Sequence, residues 1–114
     1  MLLSEGEKVH VIARRLFDGD LRRHFIGAVK AVEETCVRLE GYAFVFDAGT
    51  GQYVKRPDRR IRIISLVDAS NAIVVIPPEV NLEQIRYDIS YERRLMLTDD
   101  AGFQMDINEF NASR

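Results

Sequence analysis

The chain of 114 residues is 46% hydrophobic and 30% charged, with a net charge of −2. This composition excludes a disordered chain, and the length predicts a single domain over residues 1–114. No apolar run approaches the roughly 20 residues that a membrane-spanning helix needs, and the first residues lack the basic and then apolar pattern of a secretory signal. With a lone cysteine, Cys36, we expect a cytoplasmic protein that has no internal disulfide and does not enter a membrane.

Positive charge is concentrated in the first half of the chain. Residues 1–62 carry 12 basic and 9 acidic side chains, and the remaining residues carry 4 and 9. Arginine supplies 13 of the 16 basic residues. Because guanidinium groups bind carboxylate and phosphate in a bidentate manner, this excess is consistent with a protein or phosphate partner. A general preference for arginine in the organism explains it equally well.

The chain begins with two predicted strands. Val9, Val11 and Ala13 recur at period two, which predicts a strand that starts at Val9. The sequence DGD at residues 18–20 has turn chemistry, because glycine allows positive φ and aspartate side chains bond to nearby amides. The first strand is therefore expected to return as a second strand from about His24.

Glycines interrupt the second and third predicted strands. Gly27 lies in the second strand, the turn is predicted at Glu33–Thr35, and Gly41 lies in the third strand, Cys36–Phe46. A glycine weakens a strand unless the strand bends sharply or another backbone approaches closely. Both positions therefore predict bends of the kind that small barrels have at their corners.

The middle of the chain contains a loop and two further strands. Ala48–Asp58 holds two glycines and a proline and is predicted to be a loop, or an extended hairpin with Lys55 and Arg56 at its tip. Ile61–Val67 is the fourth predicted strand, Asp68–Asn71 a compact turn, and Ala72–Ile76 the fifth strand, which ends at two prolines.

Residues 79–110 are predicted to be a C-terminal extension. Val80, Leu82 and Ile85 have near-helical spacing, which favours a short turn of helix. From about Tyr87 the apolar residues alternate, so a strand is the preferred interpretation there. A turn at Asp99–Gly102 then predicts a hairpin.

Five short, bent strands without crossover helices predict a mainly β fold, a small five-stranded open barrel with an added C-terminal hairpin. The segment GEKVHV followed by FIGAVKAVE resembles the first signature of Sm-like (Lsm-like) proteins. The positions that fit are Phe25, Gly27, Val29, Val32 and Glu33. The segment LVDASNAIVVIPP resembles the second signature, with Asn71, Ile73, Val75 and Ile76 at matching positions. The resemblance covers residues 6–78 and implies an Sm-like or SH3-like barrel.

The same resemblance implies less about RNA binding. The family's RNA pocket has asparagine in the turn after the acid and an Arg-Gly pair before the fifth strand. Here the first turn reads Glu34-Thr35-Cys36 and the second begins at Asp68. Because carboxylates repel a phosphodiester, the fold carries over more readily than the RNA-binding function.

No residue pattern indicates catalysis, a metal or a cofactor. His10 and His24 lack a His or Cys at ligand spacing, so surface or packing roles are expected. Cys36 has no histidine near it in sequence, which favours a small core residue over a nucleophile. We therefore predict a protein that is not an enzyme, with no catalytic residue, metal or cofactor.

One basic run is a candidate site for an anion or nucleic acid. It holds five cations against Asp58 within residues 55–62, beside Tyr53. These candidates are Lys55, Arg56, Arg59, Arg60 and Arg62. Arginines 14, 15, 22 and 23 of the first hairpin could join them. A solvated loop is the alternative interpretation.

The leading hypothesis is a non-enzymatic Sm-like barrel that acts as a protein-interaction or assembly module, as a homo-oligomer or with a protein partner. The fourth and fifth strands have apolar residues on both faces, and an open barrel has edges that need cover. The alternative is RNA or single-stranded nucleic-acid binding through the arginine-rich loop.

Overall fold

The computed structural model describes residues 2–14, 22–68 and 71–107. Over these ranges the chain forms nine strands and no helix, which confirms the mainly β class. The strands are β1 Lys8–Ala13, β2 Arg23–Val32, β3 Cys36–Asp47, β4 Gln52–Lys55, β5 Arg60–Ser65, β6 Asn71–Ile76, β7 Arg86–Ile89, β8 Leu95–Thr98 and β9 Gln104–Asp106. They fall into two compact units, Met1–Pro78 and Glu79–Arg114. The single-domain assignment stays a prediction.

The N-terminal unit is one antiparallel sheet of six strands. Its order is β4-β3-β2-β1-β6, and β5 also pairs with β3. The 12-residue β3 serves two partners on the side away from β2. Its first half, Cys36–Gly41, pairs with β5, and its last residues, Phe44–Asp47, pair with β4.

This topology requires a strongly curled sheet. Ser65, the last residue of β5, lies opposite Cys36, whereas Asn71, the first residue of β6, is level with Val45 through β1 and β2. In a flat sheet those two levels would be about 30 Å apart along the strands. The five residues between β5 and β6 span about 20 Å at most, so the sheet has to bend. Among the described residues no hydrogen-bonded pairing joins β5 to β6, and the curled sheet stays open there.

The bend lies at the two predicted glycines, which are directly opposite each other. A Cβ atom on Gly27 would lie 2.6 Å from the carbonyl oxygen of Glu40. A Cβ atom on Gly41 would overlap the Ile26 carbonyl and the Cα of Gly27. Only glycine allows the two backbones to approach this closely.

The core lies on the concave face of this sheet. Alternate residues of β1, β2 and β3 point into it, as their period-two pattern predicts. The buried members are Val9, Val11, Phe25, Val29, Val37, Leu39 and Ala43, and Ile64 of β5 packs with them. The opposite face of the same three strands is buried as well. It presents His10, Ile12, His24, Ile26, Tyr42 and Phe44. The central strands are therefore buried on both faces.

One sequence-based assignment is wrong. Ala48–Asp58 is not a loop, because residues 52–55 form β4 and pair with the end of β3, so the alternative of an extended hairpin is correct but its predicted tip at Lys55 and Arg56 is not. The tip of this hairpin is the turn at residues 48–51, where the Asp47 carboxylate accepts hydrogen bonds from the Gly49 amide and the Thr50 hydroxyl. Because the Asp47 side chain caps this turn, the chain reverses direction before residue 52, and residues 52–55 can pair with β3. The predicted turns at 18–20 and 68–71 and the tail 108–114 lie wholly or partly outside the described residues.

The C-terminal unit contains a three-stranded antiparallel sheet in the order β7-β8-β9. The strand expected from about Tyr87 begins at Arg86, and the segment before it forms a turn at residues 82–84 instead of a helix. Asp99 organises the connection between β8 and β9, because its carboxylate accepts hydrogen bonds from the amides of Ala101 and Phe103. The predicted C-terminal hairpin is thus present.

Candidate anion-binding site

Strand register places a group of arginines beside the core. On β5, Arg60 lies opposite Gly41 and Arg62 opposite Leu39, which puts both on the concave face of the sheet. On β2, Arg23 lies opposite Val45 and shares that face. The Arg56 amide donates a hydrogen bond of 2.8 Å to the Ala43 carbonyl, which fixes the fourth arginine just after β4.

These four arginines enclose a cleft of about 310 Å³ at the rim of the concave face. Its lining consists of Arg23, Arg56, Arg60, Arg62, Ala43 and Val45. The small side chains of Ala43 and Val45 belong to β3 and leave space between the longer arginines. We call this feature the arginine cleft.

Among the described residues, the charge in the arginine cleft is not balanced by an acidic side chain. None of its four guanidinium groups forms an ion pair within the parts of the chain that the structure describes. Burial lowers the pKa of Arg62, and the nearby Arg23 and Arg60 lower it further. The Arg62 guanidinium lies over the Phe25 ring at 5.3 Å, a cation–π contact that holds it in place. The cleft is therefore a concentrated positive field on an apolar floor.

The candidate basic run divides between the two faces of the sheet. Arg56, Arg60 and Arg62 line the arginine cleft, but Lys55 and Arg59 do not. The Lys55 ammonium lies 4.2 Å from the centre of the Tyr42 ring on the opposite face. Arg59 is also on that side, 3.7 Å from a Glu40 carboxylate oxygen and within 3.4 Å of the Tyr42 hydroxyl. Charge density along the sequence does not reveal this division, which follows from strand alternation.

Among the described arginines of the first hairpin, Arg23 lines the arginine cleft and its neighbours do not. Arg22 lies over the Phe46 ring at 5.3 Å, Arg14 is exposed, and Arg15 lies outside the described residues. The signal in the sequence that distinguishes Arg23 is its parity with Phe25, whose alternation marks the concave face.

The two histidines are buried neighbours, which sequence spacing did not indicate. The rings of His10 and His24 meet edge to face with centroids 5.2 Å apart, and His24 stacks on Tyr53 at 4.6 Å. Burial, together with the charge of His24, lowers the pKa of His10 to about 3. Burial lowers the pKa of His24 to about 4. Both are therefore neutral packing residues at pH 7. No group of three His, Cys, Asp or Glu side chains in the described ranges is arranged to hold a metal.

Cys36 is half-buried at the start of β3. Its thiol donates a hydrogen bond to a carboxylate oxygen of Glu33 at 3.8 Å. This contact ties the two ends of the turn between β2 and β3.

The two ends of the curled sheet are exposed. β5 and β6 each have one strand partner among the described residues, so each has a free edge. Ile61 and Ile63 of β5 are 64% and 61% exposed, and Val75 of β6 is 53% exposed. Large apolar side chains at open strand edges are typical of surfaces that bind another chain.

Comparisons of the chain with protein-family models, curated proteins and solved structures find no significant match. The resemblance to Sm-like proteins therefore stays a prediction. The described residues form no helix that is long and apolar enough to cross a bilayer. The interpretation of the arginine cleft and of the free edges depends on their geometry alone.

Proposed function

We propose that the protein is a non-enzymatic assembly module that associates with further copies of itself through the free edges of β5 and β6. The observation that carries this proposal is the edge of β6. This six-residue strand, NAIVVI, contains no charged residue, and among the described residues it is paired only with β1. Edge strands of monomeric proteins usually carry charges, bulges or prolines that prevent pairing with another chain, and β6 has none of these within its length.

The free edge of β5 is a suitable partner for β6. Both strands have six residues, so one can pair along the whole length of the other. The exposed Ile61 and Ile63 lie on the convex face of β5, where a neighbouring strand would extend the sheet and cover them. The cations of β5, Arg60 and Arg62, point to the concave face and leave the convex face apolar.

A contact between β5 of one copy and β6 of the next is heterologous. Such contacts repeat around a rotation axis and close into a ring when the angle permits. The curled sheet, open between β5 and β6, supports this arrangement because the two edges belong to different ends of the same sheet. The Sm-like signatures in residues 6–78 support the same interpretation.

Sedimentation velocity tests the proposal. The parent protein is expected to sediment as an oligomer at tens of micromolar. Ile63→Lys and Val75→Lys each place a charge at a free edge and should shift the distribution toward monomer. Val54→Lys is the matched control, because Val54 is a 43% exposed valine on β4, a third edge strand to which the proposal assigns no contact between copies. A parent protein that sediments only as monomer would overturn the proposal, as would equal effects of all three variants.

A further inference from the structure

Glu40, the carboxylate beside Arg59 of the basic run, lies on the face of the sheet opposite the arginine cleft. Glu40 points to the convex face, where its carboxylate lies 3.3 Å from the Lys30 ammonium and 3.7 Å from the Arg59 guanidinium. The described lining of the arginine cleft on the concave face contains four guanidinium groups and no carboxylate. Like charges held this close repel one another, so the folded chain carries a cost that a bound anion would remove.

The size of the cleft indicates what kind of anion fits. About 310 Å³ is at the lower end of the range for small-molecule sites. Each guanidinium presents several N–H donors in a planar fork that matches the oxygens of a phosphate. Four guanidinium groups carry four positive charges, whereas one phosphate supplies about two negative charges at most near pH 7, so a ligand with more than one anionic group within a short length balances the cleft better.

We propose that the arginine cleft binds a compact molecule carrying at least two phosphoryl groups, either an inorganic polyphosphate or the polyphosphate portion of a nucleotide. The phosphoryl oxygens accept hydrogen bonds from Arg23, Arg56, Arg60 and Arg62, and Ala43 and Val45 provide the floor. Arg62 is pre-positioned, since its guanidinium already lies over the Phe25 ring. The site does not depend on self-association, because all six lining residues belong to one copy of the chain.

A strand of nucleic acid is a poorer match to this cleft. Proteins that bind single strands stack the bases on exposed aromatic rings. Phe25 is buried beneath Arg62, whereas Tyr42, Phe44 and Tyr53 lie on the convex face or stack there. The part of the lining that the structure describes includes no aromatic ring. The cleft therefore recognises the charge of phosphate groups and does not recognise a base.

Isothermal titration calorimetry with the full chain tests the proposal. The probes are tripolyphosphate, pyrophosphate, ATP, citrate and an eight-nucleotide RNA, each at the same ionic strength. We expect tripolyphosphate to bind measurably at about 0.1 mM or below, more tightly than citrate, and to weaken as salt is added. Tripolyphosphate and ATP binding equally well would indicate that the polyphosphate alone is recognised. Tighter binding of ATP would assign the site to a nucleotide.

The variants separate the arginine cleft from surface charge in general. Arg56→Ala and Arg60→Ala remove cleft residues that are exposed and lie at the ends of strands, so both should fold. Each is expected to weaken tripolyphosphate binding about tenfold, because a charge-assisted hydrogen bond contributes about one tenfold step in affinity. Arg59→Ala is the matched control, since Arg59 adjoins Arg60 in sequence but lies with Glu40 on the convex face. The affinity of the Arg59→Ala variant for tripolyphosphate should stay within about twofold of the parent value.

Three results would overturn the proposal. One is the absence of binding heat from every phosphate probe at about 1 mM, because a dissociation constant above that value is too weak for specific recognition. Another is a loss in Arg59→Ala equal to that in Arg60→Ala. The third is RNA binding that is tighter than tripolyphosphate binding and is lost in Arg60→Ala, which would assign the cleft to nucleic acid. Ile63→Lys is titrated in parallel, and unchanged binding in that variant shows that the cleft works whether or not the chain assembles.

Discussion

Gly27 and Gly41 face each other across the β2–β3 pair, and neither position has room for a Cβ atom. The closest contacts that a side chain would make are with backbone atoms, namely the Glu40 carbonyl for Gly27 and the Ile26 carbonyl for Gly41. Backbone atoms cannot move aside without breaking the strand pairing. This close approach is the point at which the sheet bends, and the bend makes the concave face on which both the core and the arginine cleft lie.

Alanine at either glycine is expected to destabilise the N-terminal unit. Gly27→Ala should lower the free energy of unfolding by about 1 to 3 kcal/mol, and Gly41→Ala should lower it by more, because its Cβ atom would overlap two residues of β2. Urea denaturation followed by circular dichroism measures both. Gly49→Ala is the control, since its Cβ atom would meet only the flexible Asp47 side chain at 3.2 Å. Equal midpoints for all three variants and the parent would show that the glycine pair does not set the bend.

Stability is expected to fall in mild acid because of His10 and His24. Their folded-state pKa values of about 3 and about 4 are below the unfolded value of 6.5. At a pH between the folded and unfolded pKa values, the histidines therefore bind more protons in the unfolded chain than in the folded one. Lowering the pH through this range favours unfolding. The contribution of the neutral histidines is complete above pH 6.5 and is lost progressively as the pH falls toward 4. Thermal melts from pH 7.5 to 4.5 should show a loss on the order of a few kcal/mol.

A variant identifies the histidines as the source of this pH dependence. His24→Phe retains a ring that can stack on Tyr53 and removes one titrating group. Its stability should change less between pH 7 and 4.5 than that of the parent protein. The same slope in both proteins would assign the acid sensitivity to other groups.

Asp99 is expected to be the main polar contributor to the C-terminal unit. Its carboxylate accepts hydrogen bonds from the amides of Asn81, Ala101 and Phe103, and these bonds lower its pKa. Asp99→Ala leaves three amides without this acceptor, so hydrogen exchange at residues 95–107 should accelerate. Asp100→Asn removes the charge of an exposed ion pair with Arg86, suits the left-handed backbone at φ 61°, and should have a smaller effect. A larger effect at Asp100 would contradict this ranking.

The stabilising effect of Asp99 also has a defined pH window. Because its folded pKa is below the ordinary value of 3.8, stability from this group is present above that value and is lost as the pH falls through the folded pKa. Amide exchange in the C-terminal unit should therefore stay slow at pH 5, where the histidine effect on the N-terminal unit is already measurable. If both units lost amide-exchange protection over the same pH range, the prediction that they respond to acid separately would be wrong.

Relief of repulsion in the arginine cleft should raise stability. Arg62 is partly desolvated and close to Arg23 and Arg60, so its charge disfavours the folded state. Arg62→Met keeps an apolar stem over Phe25 and is expected to stabilise the protein by on the order of 0.5 to 1 kcal/mol at low salt. The gain should shrink in about 0.5 M salt, where repulsion is screened. Destabilisation at low salt would show that the cation–π contact with Phe25 outweighs the repulsion.

The local pattern of the chain determined which side chains share a face. Val9 and Val11, like Val37 and Leu39, point into the core because alternate residues of any strand lie on one side. The interior glycines likewise indicated the bends, since a residue without a side chain has few other reasons to interrupt a strand. These inferences need only a few neighbouring residues.

Only the tertiary structure decided which faces and strands meet. β4 forms in a segment with two glycines and a proline because β3 offers a partner edge, and pairing with β3 overrides a weak local preference. Arg59 and Arg60 are adjacent, yet the β3–β5 register sends one toward Glu40 and the other into the cleft with Arg23. His10 and His24 meet for the same reason, through the β1–β2 register. Alternation is a local property of the backbone, whereas register is set by packing between residues far apart in the chain.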